Sequence, residues 1–480
     1  MHIVEPIKAV AAIILSEEDP YRVLLARRSE SLRFMGGYHV FPGGRIDDAE
    51  PGGLVHGATD EIEAAAIHAV AREVFEETGL LIVSGNHPAN TICAEARRAL
   101  LSGTLGFDDF LVKHNLTIDA TMFEPAGVWV TPLIAPIRFD TRYYICRVST
   151  PHVATPCGGE IDAVEWLTPA GARELWRQGA LQVPPPIAYV LQNLAAYPFP
   201  DVWEHLRNVG EHKGDRPAKM EFANGIYILP LRSPTLPPAT HTNCVIVGER
   251  ELYLIDPATH DDEELGLLTR QVNILVKLGG TVKAVLLTHS HIDHVCAAEF
   301  CRAAYDVPIW SHEATARQLP FASDRHLTDG EIITIPGNPD WRLRCIHTPG
   351  HDPGHLCFVE ETTRTLIAGD MIANPGTIVV SLDLGGDMKQ FLNSLELLAN
   401  EEYDNILPAH GMPLTKGREK MLKHLEHRLW RESKIKKALA DGIADISSLL
   451  ASVYDDVPQE TWPLAEMSLR AHLAKLGVKI

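Results

Sequence analysis

Thr288-His289-Ser290-His291-Ile292-Asp293-His294 follows directly on the apolar run Ala284-Val285-Leu286-Leu287. Four side chains able to bind a metal ion are packed into the six residues 289–294. The apolar run reads as a buried strand, so the ligands stand where a strand ends and a loop begins, a place where a rigid sheet can hold a site. Neutral imidazoles with a carboxylate suit zinc, which takes nitrogen and oxygen donors at roughly 2.0–2.2 Å. Any one of these histidines is as readily a capping group. The spacing HxHxDH as a whole points to metal.

Further candidate ligands lie downstream. His351 closes Thr348-Pro349-Gly350-His351, and Asp370 ends the apolar run Thr365-Leu366-Ile367-Ala368-Gly369-Asp370. His410 sits in Leu407-Pro408-Ala409-His410-Gly411. Each follows a strand-like segment or a Pro/Gly turn and so qualifies as a loop ligand at a strand's end. His312, His326 and His347 fall outside the pattern and read as surface or supporting groups. His355, four residues after His351, is expected to orient a ligand.

Together these motifs resemble the metallo-β-lactamase superfamily, and Leu254-Ile255-Asp256-Pro257 matches its early strand-ending aspartate. The resemblance implies one metal on His289, His291 and His351. It implies a second on Asp293, His294 and His410, with Asp370 bridging the two and Asp293 also catalytic. The implied cofactors are two Zn²⁺, with iron or manganese as alternatives; such a pair lowers the pKa of a shared water and polarises the bond to be cut. Thr242–Gly248, His351–His355, His427-Arg428, Arg431-Glu432 and the tail from Val457 to Leu473 are similar to the lactamase-beta-like endoribonuclease and glyoxalase II-like branch, in which the tail is a small winged-helix-like cap. Val295-Cys296-Ala297-Ala298 departs from the glycine pair often found after HxHxDH.

The first two hundred residues carry a different signal. Arg72-Glu73-Val74-Phe75-Glu76-Glu77-Thr78-Gly79-Leu80 ends a run of good helix formers, with Gly79 as the stop. Glu73, Glu76 and Glu77 are spaced i, i+3, i+4, which stacks three carboxylates on one helical face. A solvated acidic face is the plain reading; a hard cation such as Mg²⁺ is the functional one. The string resembles the second half of a Nudix box, with Phe41-Pro42-Gly43-Gly44 as its loop. An insertion puts Ala64 at the helix-start carboxylate position, so Glu50, Glu61 or Glu63 substitutes there or the role is missing.

Leu24–Ser29, Arg33, Gly37 and Phe41–Gly44 fall at the spacings of the coenzyme A signature of Nudix diphosphatases. Arg138–Tyr143 and Trp166–Pro169 add likeness to the peroxisomal type. This resemblance implies Mg²⁺- or Mn²⁺-dependent cleavage of a pyrophosphate linkage, with Glu73, Glu76 and Glu77 on the metal and Glu76 and Glu77 catalytic. Arg27 and Arg33 would contact phosphate groups of the substrate. Glu160 and Asp162 are open candidates for the base.

At 480 residues the length suggests about three domains. The expected architecture is α/β and α+β multidomain: a Nudix α/β/α sandwich at 1–205, a linker at 206–217 centred on the polar stretch Glu211–Pro217, an αβ/βα four-layer sandwich at 218–430, and a winged-helix-like domain at 431–480. A net charge of −20 argues against a protein wrapped by nucleic acid but leaves room for a locally basic groove. Eight scattered cysteines without a CxxC pair read as reduced thiols. No apolar run of ~18 residues is present, and Ile7–Leu15 reads as a first strand and not a signal peptide. The expected protein is cytoplasmic, acts on a phosphorylated or thioester small molecule, makes no membrane contact, and is compatible with an oligomer. The alternative is an RNA-processing endoribonuclease on single-stranded RNA, with a regulatory or non-catalytic Nudix module.

Overall fold

The computed structural model describes residues 5–32, 35–47, 52–131, 137–149, 154–207 and 220–478. The chain divides into two compact units, Met1–Ala218 and Lys219–Ile480. The helix Val202–Arg207 takes the first two residues of the expected linker, and the rest of it lies outside the described residues. No described helix is long and apolar enough to cross a membrane.

In the first unit a seven-stranded mixed sheet has Ile7–Ser16 near its centre, parallel to Phe139–Val148 and antiparallel to Val23–Arg28 and Gly43–Arg45. Side chains along a strand point alternately to opposite faces. Accordingly Val10, Ala12, Ile14 and Leu24 enter one core with the helix Glu61–Thr78. Ala11, Ile13, Leu15, Val23 and Leu25 enter the other with helices Pro169–Arg177 and Pro185–Ala196. A strand apolar at every position, covered by helices on both faces, is what an α/β/α sandwich requires. The Glu61–Thr78 helix starts where the Asp60 carboxylate accepts from the Glu63 amide at 2.8 Å and stops at Gly79, whose φ of 76° a side chain would strain.

The second unit stacks two sheets. One has seven strands, in the order Met220–Ala223, Ile226–Arg232, His241–Val247, Glu251–Ile255, Thr281–Leu286, Ile309–His312 and Arg325–Leu327. The other has six: Ile332–Ile335, Trp341–His347, Leu356–Glu360, Thr365–Gly369, Asn405–Pro408 and Leu414–Thr415. Helices Asp262–Lys277 and Ala298–Tyr305 cover the first, and Met388–Asn400 packs on the second. Ala297, Ala298 and Cys301 are fully buried in that first core, so the departure from glycine after the motif is accommodated by close packing.

A boundary at residue 431 does not appear as a break. Helix Gly417–Ala440 runs straight through it, because Met421, His424, Arg428, Arg431, Ile435 and Ala438 keep a three-to-four spacing on one buried face. Its end packs with Ile446–Val453 and Trp462–Lys475 in a small core of Ile435, Leu449, Leu450 and Leu469. Arg431 grips Asp456 through two bonds of 2.5 and 2.8 Å, holding that carboxyl down at about 2. A depressed carboxyl contributes stability above its unfolded pKa, near 3.9, and loses it as pH falls through the folded value. Methyl NMR of Leu449, Leu450 and Leu469 is therefore expected to show this helical cap loosening between about pH 4 and pH 2. Unchanged spectra across that window would contradict it.

Candidate metal centres

The strands of the second unit end on the residues singled out by the sequence. Glu251–Ile255 delivers Asp256, Thr281–Leu286 leads into Thr288 and His289, Thr365–Gly369 delivers Asp370, and Asn405–Pro408 leads to His410. Three overlapping groups of ligand atoms result, each within 4.8 Å of one another: His289, His291 and His351; His289, His294 and Asp370; Asp293, His294 and His410. Nε2 of His289 lies 3.1 Å from Nδ1 of His291. Two donors on one tetrahedral ion at ~2.1 Å would stand roughly 3.4 Å apart, so this spacing suits a shared cation. Asp370 faces both sides: Oδ2 is 3.3 Å from Nε2 of His351, and Oδ1 is 3.5 Å from His294 and 3.2 Å from His410.

What fixes these rings is a set of hydrogen bonds behind them. The Thr288 hydroxyl donates to Asp256 at 2.6 Å, which leaves its oxygen to accept from Nδ1–H of His289 at 3.0 Å. Nδ1–H of His294 donates to the same Asp256 at 2.8 Å. Nδ1–H of His351 donates to the Val379 carbonyl, and that of His410 to the His241 carbonyl. Four rings thus carry the proton on Nδ1 and turn the Nε2 lone pair inward, the tautomer a metal ligand needs. Nε2 of His294, Nε2 of His351 and Oδ1 of Asp370 are buried without a hydrogen-bond partner. Buried acceptors left unsatisfied are costly, and divalent cations at this place would satisfy them. Burial also drives His289 well below the ordinary histidine range, so it presents a neutral nitrogen.

His355 lies outside the three ligand groups. Its Nε2 accepts from the Asp370 amide at 3.0 Å and its Nδ1–H donates to Thr348 at 2.8 Å, which uses both nitrogens. Gly369 makes the approach possible: a Cβ there would lie 2.5 Å from Nε2 of His355. His312 stacks on His347 with ring centroids 4.2 Å apart, and its Nδ1 accepts from the Ala314 amide at 3.2 Å.

Two supports were legible only in part. Asp256 was legible as a strand-ending aspartate, yet its hold on two imidazoles depends on a buried, left-handed backbone (φ 49°) visible only in three dimensions. Asp352 accepts from Ser290 at 2.5 Å and so ties the HxHxDH loop to the turn carrying His351. Asp256→Ala is expected to weaken metal affinity by about 10–100-fold, measured by competition with a chromogenic chelator. An unchanged affinity would rule out the tautomer-fixing role.

The acidic helix face of the first unit is less compact. Arg72 bridges Glu73 at 3.0 Å and Glu76 at 3.4 Å, while Glu77 turns inward to accept from the Gly43 amide at 2.9 Å. Among the described residues, these three do not form a group with ligand atoms within 4.8 Å of one another. Burial raises the Glu77 carboxyl to about 8, with the neighbouring Glu73 adding to the shift. A buried carboxylate beside two others fits a cation as its compensating charge. Gly44 cradles the site, since a Cβ there would lie 2.3 Å from a Glu73 oxygen.

Glu63 is spent on the helix start, accepting from the amide and hydroxyl of Thr59 at 2.6 Å each. Arg27 pairs with Asp162 at 2.7 Å, so one expected phosphate contact and one candidate base engage each other. Arg33 and Glu50 lie outside the described residues.

Comparison with known proteins covers both units. Residues 237–410 match the family described as Metallo-beta-lactamase superfamily, and residues 446–477 the Beta-lactamase associated winged helix domain. Residues 5–91 match the NUDIX domain and 59–194 the NUDT19 Nudix domain. The chain is 27% identical over 231 residues to an atrochrysone carboxyl ACP thioesterase of Aspergillus chevalieri, covering 46% of this chain and 70% of that one. It is 28% identical over 204 residues to the hydroxyacylglutathione hydrolase GloC of Haemophilus influenzae, covering 38% and 91%. It is 29% identical over 220 residues to putative nudix hydrolase 7 of Caenorhabditis elegans, covering 44% and 68%.

Proposed function

A chain that joins a Nudix domain to a domain of the metallo-beta-lactamase superfamily is a hydrolase, and we propose that its second unit cleaves a thioester while its first cleaves a pyrophosphate linkage. The observation that carries the thioester reading is a cavity of about 920 Å³ lying over the ligand cluster. His291, Asp293, His351, Asp370 and His410 line it on one side. Leu236, Ile378, Leu384, Leu464 and Met467 make much of the remaining wall apolar, which suits an acyl chain better than a sugar–phosphate backbone. Relatives named as a thioesterase and an acylglutathione hydrolase agree with that chemistry.

His289, His291 and His351 would hold one divalent ion, and Asp293, His294 and His410 a second, with Asp370 between them. Zinc is the expected metal. When bound, such ions supply a nucleophilic water at neutral pH and polarise the carbonyl oxygen. The protein's own contribution is orientation. Oδ2 of Asp293 stands 3.6 Å from Nε2 of His410 and faces the cavity, where it can accept a proton from a water aimed at the acyl carbon. In the first unit Glu73, Glu76 and Glu77 would hold Mg²⁺ or Mn²⁺ against a nucleotide diphosphate of the coenzyme A type. Arg72 there orients Glu73 and Glu76.

An RNA substrate is disfavoured by the state of the basic helix. Lys434 pairs with Asp455 and Lys436 with Glu432 at 2.8 Å, so those charges are already neutralised. The test is parallel assay of the metal-loaded full chain with an acyl thioester, a dinucleoside diphosphate and short single-stranded RNA. Thioester and diphosphate turnover without RNA cleavage is the expected result. RNA cleavage without thioester turnover would overturn the reading.

A further inference from the structure

The cavity wall carries a buried guanidinium that no described carboxylate pairs with. Arg428, on helix Gly417–Ala440, is 4% exposed and lines the cavity. One of its Nη groups donates to the Ile378 carbonyl, its guanidinium lies 5.4 Å from the centroid of the Phe391 ring, and its Nε has no hydrogen-bond partner. No described carboxylate stands within 4.0 Å of it. The neighbouring Arg431 differs, because Asp456 neutralises it. Beside Arg428 on the same wall, Nδ1 of His427 is also buried without a partner.

A buried guanidinium without a counter-charge is unfavourable, and the unpartnered nitrogen of His427 beside it adds to the cost. A ligand oxyanion in the cavity would supply the missing counter-charge, with the charge-assisted geometry that arginine provides and His427 alongside. The subsite adjoins the metal centre: Arg428 holds the carbonyl of Ile378, and His351 holds that of Val379, the next residue.

We propose that Arg428 and His427 form an oxyanion-recognition subsite, so that the substrate of the second unit carries a carboxylate or phosphate beside an apolar segment. This rests on the thioester reading for what is cleaved, but not for what is bound. The oxyanion belongs either to the far end of a dicarboxylic acyl group or to the phosphates of the thiol carrier.

The first measurement is calorimetric titration of the metal-stripped full chain with glutarate and, separately, with adenosine 3′,5′-bisphosphate. One of them is expected to bind, and Arg428→Gln to weaken it by about tenfold or more, while Arg428→Lys stays within about threefold. The second compares metal-loaded protein on glutaryl and pentanoyl thioesters of N-acetylcysteamine and on pentanoyl-CoA. Preference for the glutaryl thioester assigns the anion to the acyl group, and preference for pentanoyl-CoA assigns it to the carrier. In Arg428→Gln that preference is expected to vanish through KM, the charged substrate losing more than the neutral one.

Wild type binding neither probe at millimolar concentration would overturn the subsite. So would a folded Arg428→Gln, or Arg428→Lys if the former does not fold, that weakens neutral and charged thioesters alike. Arg428-dependent binding without turnover of any thioester would support the subsite and sink the proposed reaction.

Discussion

Replacing His289 with alanine is expected to lower thioester hydrolysis by roughly a thousandfold or more while leaving diphosphate hydrolysis near its original rate. His289 is fully buried, and its Nε2 belongs to two of the three ligand groups, so its loss removes a donor at the centre of the cluster. Losing a metal's charge stabilisation forfeits several kcal/mol of transition-state binding, and about 4 kcal/mol corresponds to that factor. Glu76→Ala should do the converse. The two sites lie in separate compact units and share no ligand, so the effects should be independent. Steady-state assays of both activities on both variants, with folding checked by circular dichroism, decide the matter. If either substitution silenced both activities in a folded protein, separate sites would be wrong.

Trp341→Ala is expected to destabilise the second unit by about 3–5 kcal/mol, the range for truncating a fully buried aromatic side chain. Trp341 is 1% exposed and starts a strand of the six-stranded sheet. Its indole N–H donates at 2.8 Å to the carbonyl of Asn224, in the turn between the first two strands of the seven-stranded sheet. The residue therefore joins the two sheets as well as filling space. Because Asp256, His289 and His294 follow strands of one sheet, and Asp370 and His410 strands of the other, loosening this joint should also weaken metal retention. Urea denaturation followed by metal analysis would show both. A stability loss below about 1 kcal/mol would contradict the role assigned to Trp341.

The metal centre of the second unit was legible because its ligands are local in sequence or punctuated by strand ends. HxHxDH needs only a strand to aim it, and Asp370 announces itself by closing an apolar run. The bonds that choose each tautomer were not legible. Asp256 reaches Thr288 and His294 across more than thirty residues, and backbone carbonyls such as Val379 and His241 leave no mark in composition. In the first unit, helical spacing put Glu73, Glu76 and Glu77 on neighbouring positions but could not show that Glu77 turns to the Gly43 amide. Nor could it show that Arg72 sits between the other two. The apolar run Ile7–Leu15 foretold a first strand, and the partner helices on its two faces came only with the fold. Arg428 was legible only as part of a family likeness, for a related reason: nothing local says which cation of a helix rich in Lys and Arg is buried.

Elemental analysis of the purified full chain by plasma mass spectrometry tests the central claim most directly. Seven converging side chains should retain two transition-metal ions per chain, and His289→Ala should retain fewer. Folded protein free of zinc, iron and manganese, with none taken up when each is supplied, would contradict it.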